Sequence, residues 1–141
     1  MEKTLAFAKN AVETCEEYVF LEKLHYLAQG GRLSKTGAFF GDMLNMKPVI
    51  SPQPDGARKV GVVRNRKDQI NMALSKLAAA LTSESRALIM LEYSDNASDV
   101  AEFQEEVRKL YPQAEIILQP LSLTSGAHMG PGTWGVAFLK L

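Results

Sequence analysis

Apolar positions along this chain recur with two periods, and each period marks a kind of element. Over residues 2–16, Leu5, Ala8, Val12 and Cys15 fall on one stripe at helical spacing, with Glu and Lys opposite. Tyr18-Val19-Phe20-Leu21 is short, aromatic and β-branched, and reads as a strand. Glu22 to Gln29 carries Leu24, Leu27 and Ala28 on one side, a second short helix that Gly30-Gly31 would end in a left-handed cap. Ser34 stands where the N-cap of a third helix, running to about Asn45, belongs. Lys47–Ser51 and Lys59–Val63 flank a Pro/Asp/Gly turn and predict a hairpin, with Pro48 tolerated only at a strand start or an edge. A helix from about Lys67 to Leu81 turns Ile70, Ala73, Leu74, Leu77 and Leu81 inward. Ala87–Tyr93 is a buried strand, and Asp99–Leu110 a helix with Val100, Phe103, Val107 and Leu110 inward. Glu115–Leu118 is a strand, residues 121–132 a Gly/Ser/Thr-rich loop, and Gly135–Leu141 the last strand.

About six strands with helices between them, part alternating strand–helix and part hairpin, predict an α/β fold: a mixed β-sheet with helices packed on it. No repeat or low-complexity linker divides the chain, so residues 1–141 are read as a single domain.

Composition narrows the function classes. Sixteen basic and sixteen acidic residues give no net charge, so nothing argues for a nucleic-acid partner held by phosphate neutralisation. The longest apolar runs fall far short of the ~20 residues of a membrane span, and the N-terminus lacks a signal-peptide core, so a cytoplasmic protein is expected. A single cysteine excludes an internal disulfide, and in register with the first helix's apolar stripe Cys15 is expected in the core. Cys15, His25 and His128 do not form a metal-ligand set, and no metal or cofactor is implied. The phosphate-loop, dinucleotide-turn, metalloprotease and nucleophile-elbow motifs are also missing.

Three segments carry candidate chemistry. Arg64-Asn65-Arg66-Lys67 places three cations at a helix start, where the dipole disfavours them unless an anion joins them. Arg32 and Lys35 repeat that arrangement after Gly30-Gly31. His128 lies among three glycines and a proline within residues 126–132, a composition suited to presenting a side chain or approaching a ligand closely. His25, within the short second helix, reads as a structural or surface histidine.

These segments resemble a known family. Leu24 to Lys35, with Gly30-Gly31-Arg32-Leu33-Ser34 at its centre, is similar to the Leu-x-x-Leu-x-x-Gly-Gly-Arg-Ile-Ser segment of DegV proteins. Lys47-Pro48-Val49-Ile50 resembles their Lys-Pro-Ile-Leu, Val63-Arg64-Asn65-Arg66-Lys67 their Val-Arg-x-Arg-Lys, and Gly126-Ala127-His128-Met129-Gly130-Pro131-Gly132 their Gly-Thr-His-x-Gly-Pro-Gly. Leu33 and Ala127 depart from the family's Ile and Thr, and the second departure removes a hydroxyl.

The resemblance implies a bacterial fatty-acid-binding protein, some members serving as the lipid-presenting subunit of a fatty acid kinase. It implies the second, tail-burying domain alone, without the first domain whose Ser and Thr meet the carboxylate. The expected partners are a long-chain fatty acid, a DegV-type first domain and a kinase subunit. On this reading Arg32, Arg64, Arg66, His128, Ser125 and Gly126 form the head-group site, and Phe39, Phe40, Met43, Leu44 and Met46 line the acyl chain. Two other readings stay open: an enzyme with His128 as general base, lacking a nearby nucleophile or orienting carboxylate, and a regulatory module of a larger kinase-like polypeptide. The binding protein is the expectation.

Overall fold

In the computed structural model, residues 1–31, 46–54 and 56–141 are described. Among them the order is α1 (Glu2–Thr14), β1 (Glu16–Phe20), α2 (His25–Gln29), β2 (Lys47–Gln53), β3 (Gly56–Val63), α3 (Arg66–Ala80), β4 (Ala87–Tyr93), α4 (Ala97–Leu110), β5 (Glu115–Pro120), α5 (Leu123–Met129) and β6 (Trp134–Lys140). The six strands form one sheet in the order β3-β2-β1-β6-β4-β5. Only β4 and β5 run parallel, joined through α4, and every other neighbour pair is antiparallel. The mixed α/β sheet expected from the pattern is the observed one.

Pairing register sorts the strand residues onto two faces. Phe20 pairs with Val49 and Trp134, which puts these three on one face together with Val136, Phe138, Ile89 and Leu91. Helices α3 and α4 close this face with Ala73, Leu77, Val100, Phe103 and Val107, all buried. Trp134 anchors it: its ring stacks on Phe20 at 4.3 Å and meets Phe103 edge-on at 5.1 Å. Such aromatic pairs contribute ~0.5–1.5 kcal/mol each beyond the area they bury.

The second face carries Val19, Ile50, Gly135, Ala137, Leu139, Leu88, Met90 and Ile117. At one end Leu21 joins Val19 and Ile50, and Leu27 of α2 and Met129 of α5 cover them. At the other end Ile117 stays 37% exposed.

Several expectations change. Helix α1 forms where the stripe placed it, yet none of its residues is buried, and Val12 is 82% exposed. Only its last turn reaches the sheet, where Ala11, Val12 and Cys15 overhang β4–β6. Cys15 is therefore exposed, because it caps a helix that lies over the sheet's rim and not inside the core. Leu110, at the last position of α4, is also exposed, beyond the reach of the face that buries Val107. Residues 121–132 are not a continuous loop: α5 occupies Leu123–Met129. The third helix from Ser34 to Asn45 falls outside the described residues.

Candidate functional site

The C-terminal ends of β1 and β4 and the N-terminal ends of β2 and β6 lie together at one end of the sheet, because Phe20 pairs with Trp134 and Trp134 with Tyr93. Local side-chain caps start two of the helices at that end. Asn65 caps α3, its Oδ1 accepting the Asp68 N–H at 2.9 Å, so the backbone turns sharply after β3 and delivers Arg66 to the first helical position. Ser122 caps α5 in the same way, accepting from the Ser125 N–H at 3.1 Å. Gly130, at φ +80°, stops α5, and the Thr133 hydroxyl donates to the Met129 carbonyl at 2.8 Å.

The turn after β4 and the turn before β6 are clasped together. Ser94 N–H donates to the Thr133 carbonyl at 2.9 Å, Gly132 N–H to the Ser94 carbonyl at 2.6 Å, and Asn96 Nδ2 to the Gly132 carbonyl at 2.9 Å. The result is a rigid seat for the Met129–Thr133 turn. Two glycines then let α2 and α5 meet. A Cβ on Gly30 would stand 2.4 Å from His128 Nδ1, and one on Gly130 would stand 2.2 Å from the Tyr26 ring. His128 is thus half-buried against the C-terminal cap of α2.

Arg66 approaches this end from the core face. Its guanidinium carbon lies 4.3 Å from the centre of the Trp134 ring. Burial lowers its affinity for a proton, while Asp99 and Glu22 pull the other way. Glu22 also receives Lys47 Nζ and packs its side chain beneath Gly132. Lys47 pairs in register with Val63, the residue before Arg64, so Lys47, Arg64 and Arg66 gather at this sheet end. Arg64 itself is exposed, its N–H directed to Asp68 Oδ2 at 3.4 Å.

Of the remaining residues singled out from the sequence, Ser125 and Gly126 are half-buried within α5 and serve its first turn. Met46 is half-buried directly before β2. Arg32, Phe39, Phe40, Met43 and Leu44 lie outside the described residues. Among the described residues no cluster of three or more metal-ligating side chains occurs, and no helix is long and apolar enough to cross a membrane.

Sequence reasoning did not find the apolar recess at the far end of the second face. It is a depression of about 300 Å³ between α1 and the sheet, lined by Val12, Leu88, Met90, Ile117, Ala137 and Leu139 among others. Alternation in β4 and β6 would have placed Leu88, Met90, Ala137 and Leu139 on one face. That the face stays partly open is a property of the packing.

Between the recess and α5 lies a polar belt, in which Gln119 Nε2 donates to Glu92 Oε1 at 3.1 Å. Glu17 lies diagonally from Glu92 across β6, and burial, with the Glu92 charge second, raises its pKa.

The whole chain, residues 1–141, matches the model of the DegV family, a family described as uncharacterised proteins. The chain belongs to the DegV family. A DegV domain-containing protein of Lactococcus lactis is 31% identical over 133 residues, 93% of this chain and 45% of the relative. A fatty acid-binding protein of Thermotoga maritima is 28% identical over 82% of this chain and 40% of its own length. Among solved structures, the fatty-acid-binding DegV family protein of Thermus thermophilus superposes with a TM-score of 0.86 at 27% identity, over 100% of this chain and 51% of that one. The Streptococcus pneumoniae fatty acid kinase B3 protein, loaded with linoleic acid, gives 0.80 at 22%, over 97% and 48%. The chain spans about half the length of the relatives it matches.

Proposed function

We propose that this DegV chain binds a long-chain fatty acid, with the carboxylate at the sheet end that gathers His128 and Arg66 and the acyl chain along the second face. One observation carries the reading: the helix that bears His128 covers the same face of the sheet that opens, at its other end, into an apolar recess. Thr133 to Leu139 spans roughly 20 Å at ~3.3 Å per residue, a length that suits an extended acyl chain. The recess supplies tail contacts, and the cations supply the head-group pairing that a buried carboxylate requires. In this reading the site binds and presents; His128 and the arginines neutralise the head group without making or breaking bonds.

The Thermotoga relative is named for fatty acid binding, and the pneumococcal neighbour for a fatty acid kinase. We accordingly assign this chain the tail-burying half of a two-domain protein that presents its ligand to such a kinase. A DegV-type first domain would complete the head-group site. Without it, each unmet polar group of the ligand costs roughly 1–3 kcal/mol, a five- to 150-fold loss of affinity.

Titration with a fluorescent long-chain fatty acid, and displacement by oleate, tests the reading. Saturable binding weaker than that of a full-length DegV protein is expected. His128→Ala should weaken it, and Ala137→Phe, which fills the recess, should weaken it independently. Binding that neither substitution changes would refute the assignment of head and tail.

A further inference from the structure

Arg66 is an unusual cation in this structure. Its Nε and Nη2 atoms are buried and have no hydrogen-bond partner among the described residues. These two atoms form the side-on edge of the guanidinium, whose parallel N–H bonds match the paired oxygens of a carboxylate or phosphoryl group. Buried, unpaired donors are rare and call for an explanation such as a missing ligand. Asp99 and Glu22 attract Arg66 electrostatically, yet neither forms an ion pair with it. The group holding the guanidinium is the Trp134 ring, 4.3 Å away.

That ring is itself immobilised. Trp134 Nε1 donates to Gln69 Oε1 at 3.0 Å, and Gln69 Nε2 donates to the Leu21 carbonyl at 3.4 Å. Phe20 stacks on the indole at 4.3 Å. Both Trp134 and Gln69 are essentially inaccessible to solvent. A chain of contacts therefore runs from the backbone at the end of β1 through Gln69 and Trp134 to Arg66.

We propose that Trp134 is the positioning residue of the head-group site: it holds Arg66 by its π face without neutralising it, keeping the Nε–Nη2 edge for a ligand oxyanion. A carboxylate in the ring's place would also fix Arg66, but would occupy that edge and cancel its charge. The edge is shielded from solvent, a dry setting in which charge-assisted hydrogen bonds to an oxyanion are strongest. This inference rests on the fatty-acid reading and adds to it the residue that keeps the arginine available.

Trp134 is the only tryptophan in the chain, so fluorinated tryptophan can be incorporated at this position alone. Increasing fluorination withdraws negative charge from the ring face while preserving shape and packing. Calorimetric titration with oleate and, separately, with inorganic phosphate reads the carboxylate and phosphoryl arms. Affinity for the oxyanion that uses this edge should fall stepwise with fluorine content, by about tenfold overall. In Arg66→Met protein the dependence on fluorination should vanish, whereas a merely structural role would leave it in place. Oleate binding that is insensitive to fluorination, with phosphate equally insensitive, overturns the positioning role and leaves the fatty-acid reading standing. Failure of the unsubstituted protein to bind either probe overturns both.

Discussion

Gly30→Ala isolates His128 from everything else at this end of the molecule. Gly30 has φ −71° and ψ −2°, a helical conformation that alanine adopts without strain. The added Cβ, however, would stand 2.4 Å from His128 Nδ1 and 3.1 Å from its Cγ. Ordinary contact lies near 3.5 Å or beyond, so the imidazole must retreat by about 1 Å or α2 and α5 must part. Overpacking of this kind costs about 1–3 kcal/mol, against ~0.4–1 kcal/mol regained from the less flexible unfolded chain. A net loss of about 1 kcal/mol follows. Gly31→Ala is the matched control: among the described residues nothing lies within 4 Å of its Cβ position, but its φ of +67° costs alanine ~1–2 kcal/mol of backbone strain. Urea denaturation should show similar losses for the two variants. The imidazole NMR signals of His128 should move only in Gly30→Ala, with His25 as the internal reference. Fatty-acid affinity should fall about tenfold in that variant alone, equivalent to ~1.4 kcal/mol. Unmoved His128 signals in Gly30→Ala, or equal movement in both variants, would refute the close approach on which the argument depends.

Two further outcomes follow from the same geometry. Asn65→Ala removes the cap that starts α3 and should cost about 1 kcal/mol in urea denaturation, with Asn65→Asp retaining most of the stability. Glu17 has its pKa raised by burial and by Glu92, so its contribution to stability is fully present below the usual carboxylate pKa and is lost as pH rises through the raised value. Glu17→Gln should therefore be more stable than the parent at neutral pH and converge with it in acid; parallel stability–pH curves would count against the shift.

The sheet was legible because its strands follow simple rules. Ala87–Tyr93 begins with a continuous apolar run and has strand length, and the Pro/Gly turn between residues 51 and 59 left a hairpin as the only short connection. Pro48 lies at the second position of β2, an interior strand, where only the start of the ladder loses a donor. Helix α5 was hidden because its seven residues include Ser, Thr and Gly, which weaken helix propensity, and because its support is tertiary. The clasp of Ser94, Asn96 and Gly132 involves residues far apart in sequence, and no local pattern announces it. Helix α1 shows the converse: its apolar stripe was read correctly as a helix, but a stripe does not say what covers it. Arg66 and Trp134 illustrate the same limit for chemistry. The basic cluster was visible at the start of α3, while the ring that holds one member of it comes from a strand far along the chain.

The two faces of the sheet differ in what the proposed ligand would meet. The face under α3 and α4 is sealed, with Trp134, Phe20 and Phe103 filling its centre, so an acyl chain there would have to displace close-packed side chains. The second face is covered at the α2–α5 end and left apolar but open at the α1 end. Apolar surface left in water forfeits roughly 25 cal/mol per Å², so an acyl chain laid on it gains what the protein's own packing has not taken. The polar belt of Glu92 and Gln119 lies on the face between these ends, with the Glu92 carboxylate and Val19 flanking Gly135. In the proposed arrangement an acyl chain on this face meets apolar side chains at the recess, and its head group meets the end that carries His128 and Arg66. The contrast between an apolar recess and a cationic end, more than any single residue, would then orient the head group toward one end of the sheet.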